Sequence, residues 1–163
     1  MQDTRQESIK KLNDLIKDVR IAMLTTIDWG ILRSRPMATQ EAEFDGDLWF
    51  MTSSDTHKTE EIEKDRRVNV SYAAPDSNTY VSVSGTAQIV NDRKKIEDLW
   101  SPAYKAWFPK GLDDPTICLL KVTVEQAEYW DASNSTLVQV AGFVKAIVTG
   151  ERADGGDHGK VNL

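Results

Sequence analysis

The chain has 163 residues, of which 40% are hydrophobic and 28% are charged, and its formal net charge is −6 at pH 7. This length predicts one domain with a single core, and the excess of acidic residues argues against bulk binding to nucleic acid, which needs a basic face. One cysteine and two histidines exclude an internal disulfide, a cysteine-cluster zinc site and a histidine-rich metal centre.

The first third of the chain combines one helix with strands. Apolar residues at helical spacing predict a helix over residues 5–19. Apolar runs predict strands over residues 21–28, 31–40 and 48–52. Asp28-Trp29-Gly30 and Asp45-Gly46-Asp47 mark short turns between them, because glycine readily adopts the positive φ of a tight turn. We therefore expect these three strands to form a meander.

The rest of the chain continues with alternating helices and strands. The pattern predicts helices over residues 53–67 and 92–100, a turn at 75–78, strands over 68–73, 79–90 and 117–130, and a final apolar, helical element over 137–148. A bulge is expected at Gly85, where a glycine interrupts a long strand. Residues 150–163 are rich in glycine and charge, so we expect a disordered tail after a single domain over residues 1–149.

The connections between the strands indicate the fold class. Strands joined by short turns are antiparallel and do not build a parallel α/β sheet. Six such strands predict a mainly β fold, an antiparallel barrel with flanking helices. No apolar run reaches the about 18 residues of a membrane-spanning helix, and the polar start of the chain lacks the apolar core of a signal peptide. We expect no membrane association and a cytoplasmic location.

The junction between the third strand and the next helix is the first candidate site. Four hydroxyl residues and an aspartate lie between Met51 and His57-Lys58. A helix N-terminus carries free N–H groups and a partial positive charge, so two basic residues there are unfavourable unless an anion is bound. A phosphate would be stabilised by the same N–H and hydroxyl donors. An ordinary cap with a solvated lysine explains the pattern equally simply.

The second candidate site is the pair Arg33 and Arg35. On a strand the two side chains lie on one face, where they repel each other unless solvent or an anion separates them. Arginine suits phosphate because its planar guanidinium donates two bonds at once. Pro36 cannot donate a ladder bond and therefore marks an edge or an irregularity. The alternative is an exposed strand face with two solvated arginines.

Two further residues, Trp107 and Cys118, are considered as functional candidates. Trp107 lies in a loop bounded by proline and glycine, where a large apolar side chain often covers a ligand or a partner. Cys118 lies within an apolar run and is expected to be a buried, unreactive thiol. The sequence has no G-x-G-x-x-G, no G-x-x-x-x-G-K-[ST] and no G-x-S-x-G motif.

Several of these segments, in their order and spacing, resemble the pyridoxamine 5′-phosphate oxidase-related superfamily of FMN-binding split barrels. Within it the chain is most similar to the general stress protein 26-like group. The resemblance runs from about Ile21 to Trp130. It depends on four segments: SRPM (34–37), LWFMTSSDTHK (48–58), RRVNVSY (66–72) and YVSVSG (80–85).

The resemblance implies a six-stranded split barrel that binds FMN at a homodimer interface. Arg35 and Lys58 would hold the phosphate, and His57 would stand where the oxidase has a second arginine. The flavin would be lined by Pro36 and by the backbone of Met37, Ala38, Thr39 and Gln40, with Gln40 in place of a lysine. Met51 and Thr52 would line the ring and the phosphate side. Tyr80, from the other subunit, would replace a glutamine, and Trp107 would cover the ring.

The resemblance leaves the activity open. It implies a flavin-dependent oxidoreductase that uses NAD(P)H or another small electron donor, with FAD as an alternative cofactor. The alternatives are a non-catalytic flavin-binding or flavin-buffering stress protein and a barrel that acts through partners without flavin. The oxidase grips its pyridoxal substrate with a C-terminal Arg-x-His pair, which this chain lacks. We therefore do not expect vitamin B6 oxidation.

Overall fold

The computed structural model describes residues 2–40, 43–132, 144–145, 147–150 and 157–163. The helices are α1 (Gln2–Ile16), α2 (His57–Lys64) and α3 (Arg93–Leu99), with 3-10 turns at Pro75–Ser77, Pro102–Ala106 and Gly111–Asp113. The strands are β1 (Ile21–Asp28), β2 (Ile31–Ala38), β3 (Asp47–Ser53), β4 (Arg67–Ala74), β5 (Thr79–Val90), β6 (Ile117–Asp131) and β7 (Asp157–Asn162). The expected element over residues 137–148 lies mostly outside the described residues.

All strands belong to one antiparallel sheet in the order β2-β1-β4-β5-β6-β3, and β7 pairs with β6. The 15-residue strand β6 pairs with β3 along its first half and with β7 along its second half. The sheet curls into a half-barrel with a few helices at its margins. This confirms the predicted fold class, a mainly β split barrel with flanking helices.

The expectation that the first three strands form a meander is wrong. β1 and β2 form a hairpin, but β3 pairs with β6. The connection after β2 is not a tight turn: it carries Phe44 into the core beside α1, where its N–H donates to the Asn13 side chain. Gly46, with a φ of 118°, then packs next to the side chain of Arg5 on α1. Burial of Phe44 therefore leads the chain away from β2 to the opposite edge of the sheet.

Local turn and bulge signals are confirmed. Trp29 and Gly30 have φ values of 51° and 80°, as a two-residue hairpin turn with a right-handed strand twist requires. At Gly85 the register of β5 against β6 shifts, and a Cβ there would lie 2.1 Å from the carbonyl oxygen of Thr123. Glycine permits this close backbone approach, and the bulge increases the local twist that curls the sheet.

The expected disordered tail is wrong for residues 157–162, which form β7. This strand has little apolar content, so its sequence gives no strand signal. Its order comes from its partner β6: His158 stacks on Trp130 with ring centroids 5.3 Å apart, and its Nε2 lies 2.9 Å from Glu128. Gly159 leaves room for the side chain of Tyr129, since a Cβ at this position would lie 2.7 Å from the Tyr129 hydroxyl oxygen and 2.9 Å from its ring.

The main core fills the inside of the curled sheet and the buried face of α1. Its largest fully buried side chains include Phe50, Leu12, Leu24 and Ile62. A second, smaller cluster lies under the loop after α3 and contains Met51, Ile96, Tyr104, Phe108, Ile117 and Leu119. Cys118, on β6, is a buried free thiol, as expected. No helix in the described part of the chain is long and apolar enough to cross a membrane.

Candidate functional site

A groove lies where the two edge strands of the sheet, β2 and β3, approach each other. It consists of three adjoining cavities, which we call the basic cavity, the central cavity and the loop cavity. Their volumes are about 450, 360 and 490 Å³. Lys58 lines both the basic and the central cavity, and Trp107 lines both the central and the loop cavity. The three therefore form one continuous surface.

The basic cavity brings together residues that are far apart in the sequence. Arg33, Ser34 and Arg35 come from β2, and Thr56, His57, Lys58 and Glu61 come from the start of α2. The expected proximity of the two candidate phosphate-binding stretches is therefore present. His57 contributes little to an enclosed site, because 96% of its side chain is exposed and its Nδ1 lies 3.9 Å from Glu60.

The two strand arginines do not require an external anion. Arg33 pairs with Asp28 at 3.0 Å, and Arg35 pairs with Glu61 at 2.8 Å. Arg35 also donates to the hydroxyl of Thr26 at 2.6 Å. The repulsion expected between the two guanidiniums is thus relieved by two carboxylates of the protein itself, so the arginine pair alone gives no evidence of a bound anion.

Lys58 differs from both arginines. Within the described part of the chain, no hydrogen bond or ion pair reaches its ammonium group. Partial burial and, after it, the positive charge of Arg35 lower the pKa of Lys58 below its ordinary value. The charged form of this side chain is therefore destabilised where it stands, and an anion in the cavity would relieve that cost.

The start of α2 is also uncapped by side chains. Thr56 occupies the N-cap position without a side-chain capping bond. Its hydroxyl donates instead to the carbonyl oxygen of Ser53 at 3.1 Å, and Ser53 donates to the carboxylate of Asp55. In the first helical turn the N–H of Thr59 donates to the carbonyl oxygen of Thr56 at 3.1 Å, so within the described residues the N–H groups of His57 and Lys58 are left for an acceptor from outside the helix.

The central cavity is largely apolar and contains one unsatisfied polar atom. Pro36, Met37 and Ala38 of β2 face Met51 and Thr52 of β3 across it, and Tyr104, Trp107 and Phe108 form its third wall. The hydroxyl of Thr52 is buried, with no hydrogen-bond partner among the described residues. Such an atom costs free energy unless a ligand or water pairs with it. Trp107 is 65% exposed at the open side.

A second unsatisfied atom belongs to Gln40, which lines both the loop cavity and a smaller cavity beside α1. Thr39 and Gln40, directly after β2, line the loop cavity together with residues of the loop after α3. The hydroxyl of Thr39 donates to the carbonyl oxygen of Val19 at 2.6 Å, so it is already used. The side-chain Nε2 of Gln40 is buried and finds no acceptor within the described residues.

One predicted site residue lies elsewhere in the chain. Tyr80, on β5, is not among the residues that line the three cavities. It stands opposite Trp130 of β6 and is 41% exposed. The expectation that Tyr80 serves the site from another subunit stays a prediction. The described residues contain no cluster of three or more metal-ligating side chains.

Sequence reasoning missed Glu61 and Thr26, the two partners of Arg35. Both are buried, and they lie 26 and 9 residues from Arg35 in sequence. Glu61 stands in a helix rich in charge, where an acid is ordinarily solvated, and Thr26 reads as an ordinary strand residue. Only the packing of α2 against β1 reveals their role, so no local signal could have identified them.

The sequence is similar to a known protein family over most of its length. Residues 7–154 match a family model described as pyridoxamine 5′-phosphate oxidase like. The chain is 31% identical to general stress protein 26 of Bacillus subtilis over 140 residues, which cover 83% of this chain and 97% of that protein.

Solved structures are similar as well. A protein from Jannaschia sp. CCS1, provisionally named general stress protein 26, has a TM-score of 0.77 at 27% identity, with all of both chains covered. A general stress FMN/FAD binding protein from Xanthomonas citri has a TM-score of 0.68 at 28% identity, covering 80% of this chain and 92% of that chain.

The unpaired charge of Lys58 generates a stability prediction. We expect Lys58→Met to raise the free energy of unfolding of the ligand-free protein by about 0.5–2 kcal/mol, because it removes a partly buried charge beside Arg35. The pKa of Lys58 is lowered, so the penalty is full below the folded-state pKa and disappears as pH rises towards 10.5. The gain should therefore shrink in alkaline solution.

Urea denaturation at neutral and alkaline pH would measure this difference. Lys64→Met is the matched control, since Lys64 lies on the same helix but contacts the ring of Trp29 and stands in the last turn. The control should be neutral or slightly destabilising. A Lys58→Met protein less stable than the parent would contradict the interpretation of Lys58 as an unsatisfied cation.

Proposed function

The chain belongs to the pyridoxamine 5′-phosphate oxidase-like family, and on that premise we propose that it binds FMN in the groove between β2 and β3 and acts as a flavin-dependent oxidoreductase. The observation that carries the proposal is the ammonium of Lys58, partly buried and without a partner in the described structure, at the uncapped start of α2. A phosphate monoester is the ligand group that this arrangement suits.

The phosphate end of the proposed site is the basic cavity. Lys58 supplies a charge that has no ion-pair or hydrogen-bond partner among the described residues and that Asp55 and Glu61 offset only in part, and the N–H groups of His57 and Lys58 at the start of α2 supply further donors. Arg35 adds the guanidinium N–H groups that Thr26 and Glu61 do not use. Each bond from a charged donor to phosphate contributes about 1.5–3 kcal/mol, so these groups together support binding of a small phosphorylated ligand.

The ring end of the proposed site is the central cavity. Met37 and Met51 offer polarisable apolar walls, and Trp107 offers a flat ring at the open side. The buried hydroxyl of Thr52 and the Nε2 of Gln40 are the unsatisfied polar atoms that a flavin, rich in both donors and acceptors, would pair with. The residues present therefore fit this cofactor.

FMN supplies hydride-transfer chemistry when bound, and the protein supplies binding, orientation and exclusion of water. The described residues that line the central cavity include no carboxylate, and in the basic cavity the carboxylate of Glu61 is already paired with Arg35. Among the described residues that line the ring end, Lys58 and the phenol of Tyr104 are the groups suited to general acid or base catalysis. This favours hydride transfer between cofactors, and it is equally compatible with flavin storage.

A second copy of the chain is part of the proposal. Ile21 lines the central cavity and is half exposed, and Met23, Ile31 and Leu32 on the same hairpin are exposed as well. Exposed apolar side chains grouped on one hairpin in this way are typical of an interface. Pairing of two copies would cover the groove and would allow Tyr80 of the partner subunit to approach it.

We expect Lys58→Ala to weaken FMN binding at least about tenfold, because loss of a charged phosphate contact costs about 1.5–3 kcal/mol. Quenching of FMN fluorescence during titration measures the dissociation constant. Lys64→Ala, on the exposed side of the same helix, should bind FMN like the parent. Equal affinity of the Lys58→Ala protein and the parent would show that the phosphate does not lie in the basic cavity.

The oxidoreductase and storage alternatives differ in turnover. With FMN bound, we expect NADH or NADPH to bleach the flavin absorbance under anaerobic conditions, and oxygen to restore it. Tight FMN binding with no bleaching by either donor would favour a flavin-binding or flavin-buffering protein. Formation of pyridoxal phosphate from pyridoxamine phosphate is the control that tests the vitamin B6 oxidase alternative.

Light scattering tests the proposed homodimer. At micromolar concentration we expect the mass of two chains, and Met23→Glu should shift the protein towards the monomer because it places a charge in the apolar surface. The monomeric variant should also bind FMN more weakly. A parent protein that is monomeric at this concentration would contradict a shared flavin site.

A further inference from the structure

Arg35 is held from two sides before any ligand binds. Its Nη1 donates to the hydroxyl of Thr26 at 2.6 Å, and its Nη2 donates to Oε2 of Glu61 at 2.8 Å. Thr26 in turn donates to the same oxygen of Glu61. The three side chains come from β1, β2 and α2, and they form a closed hydrogen-bonded triangle, which we call the Arg35 clamp.

The clamp fixes the direction of the guanidinium. Thr26 is fully buried and the side chain of Glu61 is only 7% exposed, so neither partner can move freely. A guanidinium carries five N–H donors in one rigid plane, and the two bonds of the clamp use only two of them. Because Arg35 also lines the basic cavity, the clamp determines which of the other donors face it.

The second strand arginine provides an internal comparison. Arg33 pairs with Asp28, but the Arg33 side chain is 57% exposed, and its carboxylate partner lies on the neighbouring strand at the hairpin. Such an exposed pair contributes little to fixing a side chain. The two pairs therefore have the same chemistry on the same strand, and only the Glu61 pair is buried and linked to a third residue.

We infer that Glu61 is a positioning residue for phosphate recognition: through the clamp it orients Arg35, while Lys58 supplies a charge that has no ion-pair partner of its own within the described residues. The inference rests on the proposed function, since it assigns a role within the same site. It also resolves an apparent contradiction, namely a buried carboxylate beside a phosphate site. Coulomb repulsion alone would make Glu61 a hindrance, whereas orientation of Arg35 makes it necessary.

These two roles predict opposite effects of removing the carboxylate. If Glu61 acted only by its charge, its loss would strengthen FMN binding. If it orients Arg35, its loss weakens FMN binding even though the cavity becomes more positive. Two substitutions separate charge from geometry: Glu61→Gln removes the charge but keeps an oxygen that can accept from Arg35 and Thr26, and Glu61→Met removes both at similar side-chain length.

The readout is the ratio of FMN affinity to riboflavin affinity, because riboflavin lacks only the phosphate. We expect Glu61→Met to lower this ratio at least about tenfold with riboflavin affinity nearly unchanged, and Glu61→Gln to change it less than about threefold. Thr26→Val, which opens the clamp from β1, should lower the ratio by an intermediate factor. Asp28→Asn, the matched change at Arg33, should leave it unchanged.

Each other outcome has a distinct meaning. A ratio that rises or stays constant in Glu61→Met would overturn the positioning role. A parallel fall in FMN and riboflavin affinity would also overturn it, since that result indicates a general loss of structure. Should Glu61→Met fail to fold, Thr26→Val gives the same comparison. A parent protein without preference for FMN over riboflavin would refute the phosphate site itself, and the clamp's role with it.

Discussion

The pairing of β3 with β6 determines where a ligand can bind in this protein. Because the chain leaves β2 after Ala38 and starts β3 at the other edge of the sheet, the two edge strands approach each other without completing a barrel. The groove follows this gap. Its apolar walls come from Met37 and Met51 on the two edges, and α2, which continues directly from β3, brings Lys58 to one end.

The cations along the groove differ in whether the protein itself pairs them with a carboxylate. Arg33 and Arg35 are neutralised by Asp28 and Glu61, so they add direction more than net charge. Burial and the neighbouring Arg35 lower the pKa of Lys58, so an anion beside it would stabilise its charged form. Neutral pairs around one unpaired cation give a site that can hold a phosphate without strong repulsion in its absence.

Local signals in the sequence predicted local structure well. The turn at Trp29-Gly30, the bulge at Gly85 and the strand boundaries depend on neighbouring residues, and they agree with the structure. The pairing of β3 with β6 does not follow from such signals, because it depends on the burial of Phe44 beside α1, which is far away in the sequence. β7 is stabilised by contacts with β6, which its own polar sequence cannot indicate.

The candidate site shows the same division. Sequence patterns identified Arg35 and Lys58, the family resemblance implied Met37 and Thr52, and the structure brings these four residues to one groove. The sequence patterns could not identify Glu61, because an acid in a charged helix looks solvated until α2 is packed against β1. For the same reason the sequence could not show that both arginines already have carboxylate partners. The main evidence for an anion site is therefore Lys58 and not the arginine pair.

The most direct test of the account is a thermal melt of the purified protein with and without FMN, after inspection for yellow colour. Ligand at a hundred times its dissociation constant should add about 2.7 kcal/mol to the free energy of unfolding. For a chain of this size the melting temperature should then rise by roughly 5–10 °C. A colourless protein whose melting temperature does not change with FMN would contradict the account and would make Lys58 an ordinary surface charge.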